Sequence, residues 1–138
     1  MSIKRLDSKN NVEHFISELR EILLAPTFDV KIDLDILLKK KNEEVSDPCT
    51  TANTLLTLEF DKDDVCKQLL KITAADYVET IIDNKNSELP PFYVFCRKIQ
   101  RRYVYIKVKI RDRINGKVFC VSFHFARYSF KRPFPYET

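Results

Sequence analysis

The sequence predicts an α+β domain, with N-terminal helices packed on a C-terminal antiparallel twisted sheet of at least three strands. Three observations carry this. Apolar residues recur at helical spacing near the N-terminus, from Val12 to Leu23. Residues 92–125 alternate apolar and polar in strand fashion. Asn115-Gly116 separates two of those alternating runs, as a hairpin turn does. A chain of 138 residues suits one domain with a core of its own. Its helical part is expected over about 1–82, its sheet over about 92–125 and a tail over 126–138.

A first helix is expected over 9–25, because Val12, Phe15, Ile16, Leu19, Ile22 and Leu23 share one face and Pro26 ends the run. His14 falls off that stripe and faces solvent. "FDVKIDLDIL" then alternates like a strand, and "KKKNEEVSDP" reads as a solvated loop, in which Lys39–Lys41 are most simply a soluble linker, with a phosphate contact as the alternative. A second helix starts after Thr50–Thr51. A third opens near Asp61, with acidic residues in its first turn and Val65, Leu69 and Leu70 turned inward. A short fourth follows Thr73, where Thr73 and Asp76 form a weak capping box. Residues 83–91 form a polar loop, and strands follow at about 92–99, 102–113 and 117–125.

Composition excludes several classes. Apolar residues are 44% and charged residues 32%, so the chain folds rather than staying disordered. No apolar run approaches the ~20 residues that cross a bilayer. The N-terminus lacks the apolar centre of a signal peptide, so a cytoplasmic protein is expected. Cys49, Cys66, Cys96 and Cys120 include no C-x-x-C pair, and there are two histidines. Reduced, buried thiols are expected, with no disulfide framework, no metal and no cofactor. The net charge of +4 divides unevenly: residues 1–91 hold 12 Lys/Arg and 18 Asp/Glu, residues 92–138 hold 12 and 2. That division points to a polyanion or an acidic protein as partner.

A two-residue turn at Asn115-Gly116 would set Ile110 opposite Val121, Val108 opposite Phe123 and Ile106 opposite Phe125 on a core face. Arg111 would then face Cys120, Lys109 would face Ser122 and Lys107 would face His124. A turn at Gln100-Arg101 would set Phe95 against Ile106, with Val94 beside Lys107 and Cys96 beside Tyr105. The second face thus shows Tyr103, Tyr105, Lys107, Lys109 and Arg111, flanked by Ser122 and His124. Cations neutralise phosphates and tyrosines stack on unpaired bases, a combination suited to single-stranded RNA. His124 titrates near neutrality, a lysine beside it keeps it unprotonated, and Tyr105 can donate a hydrogen bond. Such groups let a ribose 2′-OH attack the adjacent phosphate. The same pattern also describes a plain solvated sheet face with a structural histidine.

The run "NTLLTLEFDKDDVCKQLLKITAADYV" (53–78), followed by "YVFCRKI", "YVYIKVKI" and "GKVFCVSFH", resembles the MqsR-type toxin family over roughly residues 50–125. The matching motifs are Ile72–Tyr77, Tyr93–Phe95, Val104–Lys107 and Ser122–His124. "SFH-x-A-x-Y" (Ser122–Tyr128) and Pro135-Tyr136 resemble a longer branch of the same group. The resemblance implies a RelE-like fold, mRNA cleavage and neutralisation by a cognate antitoxin protein. Tyr105 matches the family's strand tyrosine. His124 replaces its lysine after the final S-F, Glu79 replaces a helix-end lysine, and Val94 replaces a strand glutamine.

The expected function is therefore a metal-independent endoribonuclease toxin. His124 acts as general acid or base, Lys107 and Lys109 hold the phosphate, and Tyr105 orients it. Arg97, Lys98, Arg111, Tyr103 and Arg127 bind RNA. The alternatives are a non-catalytic basic module binding nucleic acid or an acidic protein, and an interaction protein docking through its tail "KRPFPYET".

Overall fold

The first helix, α1 (Lys9–Leu24), forms where its apolar stripe and caps agree. Ser8 caps it, accepting from the Asn11 N–H, and Val12, Phe15, Ile16, Leu19 and Leu23 are buried. Phe15 stacks on Tyr93 with ring centroids 4.0 Å apart, so α1 covers one face of the sheet. In this computed structural model residues 2–83, 86 and 88–137 are described. Residues 84, 85 and 87 of the loop expected over 83–91 lie outside the described residues.

The architecture is α+β, with four helices and a six-stranded mixed sheet. The strands are β1 (Ser2–Arg5), β2 (Leu34–Ile36), β3 (Tyr77–Asp83), β4 (Phe92–Ile99), β5 (Arg102–Asp112) and β6 (Lys117–Phe125). Their order is β1-β3-β4-β5-β6-β2. Two expectations are corrected here. Residues 1–82 are not simply helical, because they contribute three strands. The sheet is not wholly antiparallel, because β2 runs parallel to β6. Only part of "FDVKIDLDIL" is a strand: Asp29 caps a single helical turn, α2 (Val30–Asp33), before β2 begins.

The remaining helices start where their caps stand. Thr50 caps α3 (Thr51–Leu58), which ends with Glu59 in the left-handed conformation, φ 59°. Asp61 and Asp64 form a reciprocal capping box on α4 (Lys62–Leu69). The Thr73–Asp76 box is made too, but it opens only a three-residue 3₁₀ turn, after which Tyr77 begins β3. Among the described residues no helix is long and apolar enough to cross a membrane. Cys66, Cys96 and Cys120 are buried as free thiols, and Cys49 is half-buried.

β4 and β5 pair in the expected register: Phe95 meets Ile106, Val94 meets Lys107 and Cys96 meets Tyr105. Their turn places Gln100 and Arg101 at φ 50° and 71°. The β5–β6 register departs from expectation. Asn115 does not adopt positive φ, because the Asp112 carboxylate accepts from its backbone and side-chain N–H groups. The connection widens to residues 113–116, closed by Gly116 at φ 64°. Asp112 therefore pairs with Lys117, and irregularities at Arg111 and Val121 follow. Val118 and Cys120, not Phe119 and Val121, face the core there. Beyond Val121, Phe123 pairs with Ile106 and Phe125 with Val104, two residues from the expected partners.

β2 is too short to cover all of β6, and α3 covers the rest. The Thr51 hydroxyl accepts from the Phe123 N–H at 3.1 Å, and the Thr54 hydroxyl accepts from the Phe125 N–H at 3.0 Å. Both threonines are buried. Thr54→Val keeps the side-chain shape and leaves a buried N–H without an acceptor. Urea unfolding of that variant is expected to show a loss of about 1–3 kcal/mol.

Candidate functional site

The second face of the sheet, opposite α1, carries the candidate site. His124 and Tyr105 are directly opposed on β6 and β5, with rings nearly parallel and centroids 5.2 Å apart. Lys107 opposes Ser122 rather than His124, as the two-residue register difference requires. Lys107 and His124 still share the face, as diagonal neighbours. Tyr105 opposite His124 gives the imidazole a flat ring as its neighbour, with the lysine one step along.

His124 is 6% exposed. Its Nδ1 lies 2.9 Å from the Phe125 carbonyl oxygen, which can only accept, so Nδ1 carries the proton and Nε2 keeps its lone pair. Burial holds the His124 pKa below its ordinary value, with Lys40 and Arg127 pushing the same way against the Phe125 carbonyl and Glu43. The ring is thus neutral at neutral pH. It borders a cavity of about 340 Å³ lined by Lys40, Tyr105, His124, Ala126, Arg127, Tyr128, Ser129 and Phe130.

Lys40 is the residue that sequence reasoning left out of the site, having placed a phosphate contact by Lys39–Lys41 second to solubility. It stands in the segment after β2, within a triple lysine read as a solvated loop. That segment turns over the second face, and Lys40 Nζ donates to Ser122 Oγ at 2.7 Å. Burial lowers its pKa, Arg127 adds to that, and Glu43 opposes it. Lys107 is lowered as well, first by burial and then by Lys40. Burial pushes Tyr105 up to about 12, so its phenol stays protonated.

The tail also lies across this face. Phe130 stacks parallel to Tyr105 with centroids 6.2 Å apart, and the Arg132 guanidinium donates to the Tyr103 hydroxyl. Phe134 is buried, and beyond it Tyr136 leaves this face to pack against the core, stacking on Tyr77 while its hydroxyl donates to the Asp7 carbonyl. The second face is therefore not an open sheet, and the cavity beside residues 126–130 is the approach to His124.

The other candidates divide. Arg97 does not belong here: alternation places it with Tyr93 and Phe95 on the core face, where it donates to Asp76 at 2.9 Å and to the Lys71 carbonyl at 3.1 Å. Arg127 borders the cavity but is bound by Glu43 and Asp47, and its hydrogen bond to Asp47 leads in raising its pKa. Arg111 lies toward the far end, paired with Asp35 at 3.1 Å and stacked over Phe119. Lys109 and Lys107 sit over the Phe92 ring, at 4.6 and 5.0 Å from its centroid. Lys98 lies beside its cross-strand partner Tyr103, near the β4–β5 turn.

The charge division is partly consumed inside the molecule. Arg97, Arg111, Arg113, Lys117 and Arg127 pair with Asp76, Asp35, Glu18, Asp33 and the Glu43–Asp47 pair, all from the acidic first 91 residues. Among the described residues no carboxylate lies within 4 Å of the Lys98, Arg101, Arg102 or Lys107 cations. No group of three or more His, Cys, Asp or Glu among the described residues could hold a metal ion. No protein-family model matches the chain, and no curated protein matches it.

Proposed function

We propose that the chain is a metal-independent endoribonuclease acting on mRNA as the toxin of a toxin–antitoxin pair, with the RelE-like fold that its resemblance to MqsR-type toxins implies. The observation that carries the reading is one neutral imidazole, His124, which has Nδ1 bound to the Phe125 carbonyl and lines a cavity together with Lys40. In this reading Nε2 takes the proton from a ribose 2′-OH, and the 2′-oxygen attacks the adjacent phosphorus. The bond to the 5′-oxygen breaks, leaving a 2′,3′-cyclic phosphate and a 5′-hydroxyl end. Lys40, whose pKa burial lowers, supplies the proton to that leaving oxygen and stabilises charge on the phosphoryl group. Lys107 and Lys109 hold the phosphate from the neighbouring strand positions, and the protonated Tyr105 phenol orients it.

The sequence resemblance supports the same assignment at Tyr105, and His124 stands where the family has a lysine. The test is cleavage of an unstructured RNA by the purified protein with excess chelator. The expected result is fragments ending in 2′,3′-cyclic phosphate, and no cleavage of the same sequence as DNA, which lacks the attacking hydroxyl. Salt-sensitive RNA binding without scission would instead establish the non-catalytic basic module.

A further inference from the structure

Two open basic residues at the β4–β5 turn meet the wall of the catalytic cavity. Arg101, Arg102 and Tyr103 form one side of a groove of about 380 Å³, and Phe125 with residues 126–129 forms the other. Residues 126–129 also line the His124 cavity, so the groove and the cavity are two sides of one short segment.

Three features suit the groove to a nucleic-acid strand. First, Arg101 and Arg102 are exposed, and among the described residues no carboxylate pairs with either, although five other cations of the C-terminal third are paired with acids of the first 91 residues. The Arg102 guanidinium sits 3.4 Å from the Phe125 ring centroid, which fixes it while leaving N–H edges for phosphate oxygens. Second, Tyr128 is 83% exposed at the shared wall, a large aromatic surface without a neighbouring ring among the described residues. Third, the turn holds Arg101 at φ 71°, beside Gln100 at φ 50°, in a region that disfavours side chains. Glycine or asparagine would serve the turn better. Retaining arginine there, with its charge directed to the groove, is the kind of local strain that accompanies binding.

We propose that this groove binds the single-stranded RNA flanking the cleaved bond, with Arg101 and Arg102 on its phosphates and Tyr128 stacked on an unpaired base. The inference rests on the ribonuclease reading above and adds to it where the rest of the substrate lies.

The test measures anisotropy of a short, fluorescein-labelled, unstructured RNA bound to the chain carrying His124→Ala, so that cleavage does not interfere. Adding Tyr128→Ala is expected to weaken binding by about tenfold, the loss of one base–aromatic stack. Adding Arg101→Ser is expected to lower the slope of log affinity against log salt by about 0.7, one phosphate contact on a single strand. With His124 intact, the Arg101→Ser variant should cut a dinucleotide, too short to reach the groove, at the wild-type rate, while KM for long RNA rises. Arg101→Gly separates binding from structure: glycine suits positive φ, so this variant should keep its Tm yet bind RNA as weakly as Arg101→Ser.

Unchanged affinity and salt slope in both variants, in a chain that cuts RNA, would overturn the groove and leave the ribonuclease reading intact. A wild-type chain that neither cuts nor binds RNA overturns both. Variants that lose affinity for polyglutamate while holding RNA normally would assign the groove to an acidic protein and overturn the proposal.

Discussion

RNA cleavage by the His124→Ala chain is expected to fall by about 10²–10⁴-fold, the contribution of a positioned general base. The size follows from the geometry. Nδ1 is committed to the Phe125 carbonyl, so the ring presents one lone pair, in one direction, at Nε2. No other imidazole is near: His14 lies on α1, across the sheet, paired with Glu18 at 2.8 Å. The substitution also removes one hydrogen bond and the ring contact with Tyr105, so a stability loss of about 1–2 kcal/mol accompanies it. Circular dichroism and urea unfolding should therefore show a folded chain, and cleavage assays an inactive one. The wild-type pH profile is tied to the same ring. Because the folded pKa lies below 6.5, activity should hold as pH drops through 6.5 and decline only at lower pH, as Nε2 becomes protonated. Tyr105, raised to about 12, adds no limb in the ordinary range. A His124→Ala chain that cuts RNA at the wild-type rate removes this residue from the chemistry.

How much of this was legible in the sequence depended on whether local signals determined the outcome. The α1 stripe and its stop at Pro26 did, and so did the β4–β5 register, because two residues, Gln100-Arg101, join those two alternating runs directly. β3 was misread because Thr73 and Asp76 announce a helix that lasts three residues. The strand signal lay just beyond, in the β-branched residues of "YVETIID". β1 and β2 span four and three residues, too few for a periodic pattern to show, and they exist because β3 and β6 offer them edges.

The site was legible as a face but not as a constellation. Alternation correctly grouped Tyr105, Lys107, Ser122 and His124. The pairing slipped by two because Asp112 captures Asn115 and widens the turn, and a shift of two residues keeps every side chain on its face. The bulge at Val121 leaves no mark in a period-two pattern, so Cys120 was placed on the wrong side. Arg97 was counted as RNA-binding from charge alone, although its parity with Phe95 already placed it on the core face. Lys40 carries no local signal: three consecutive lysines look alike until the path out of β2 brings one of them to Ser122.

Lys40→Met is expected to lower cleavage by about 10²–10³-fold, the scale of losing one preorganised charge at a developing oxyanion. Its second effect tests the arrangement more sharply. The charged groups acting on His124 are Lys40 and Arg127, which disfavour the imidazolium, and Glu43, which favours it. Removing the Lys40 cation leaves Arg127 already committed to Glu43 and Asp47, so the net push against protonation weakens. The pKa of His124 must then rise, and the acid limb of the residual activity should move to higher pH. A loss of fold alone would lower the rate at every pH without moving the limb. Lys41→Met, one residue along and exposed, is the control, expected to leave both rate and profile unchanged. Lys107→Met, on the adjacent strand, should reduce cleavage while shifting the limb less, because Lys40 leads the charges that lower the imidazole pKa. If Lys40→Met leaves the acid limb where it was, the lysine and the histidine do not share a site, and the proton for the leaving oxygen must come from another group.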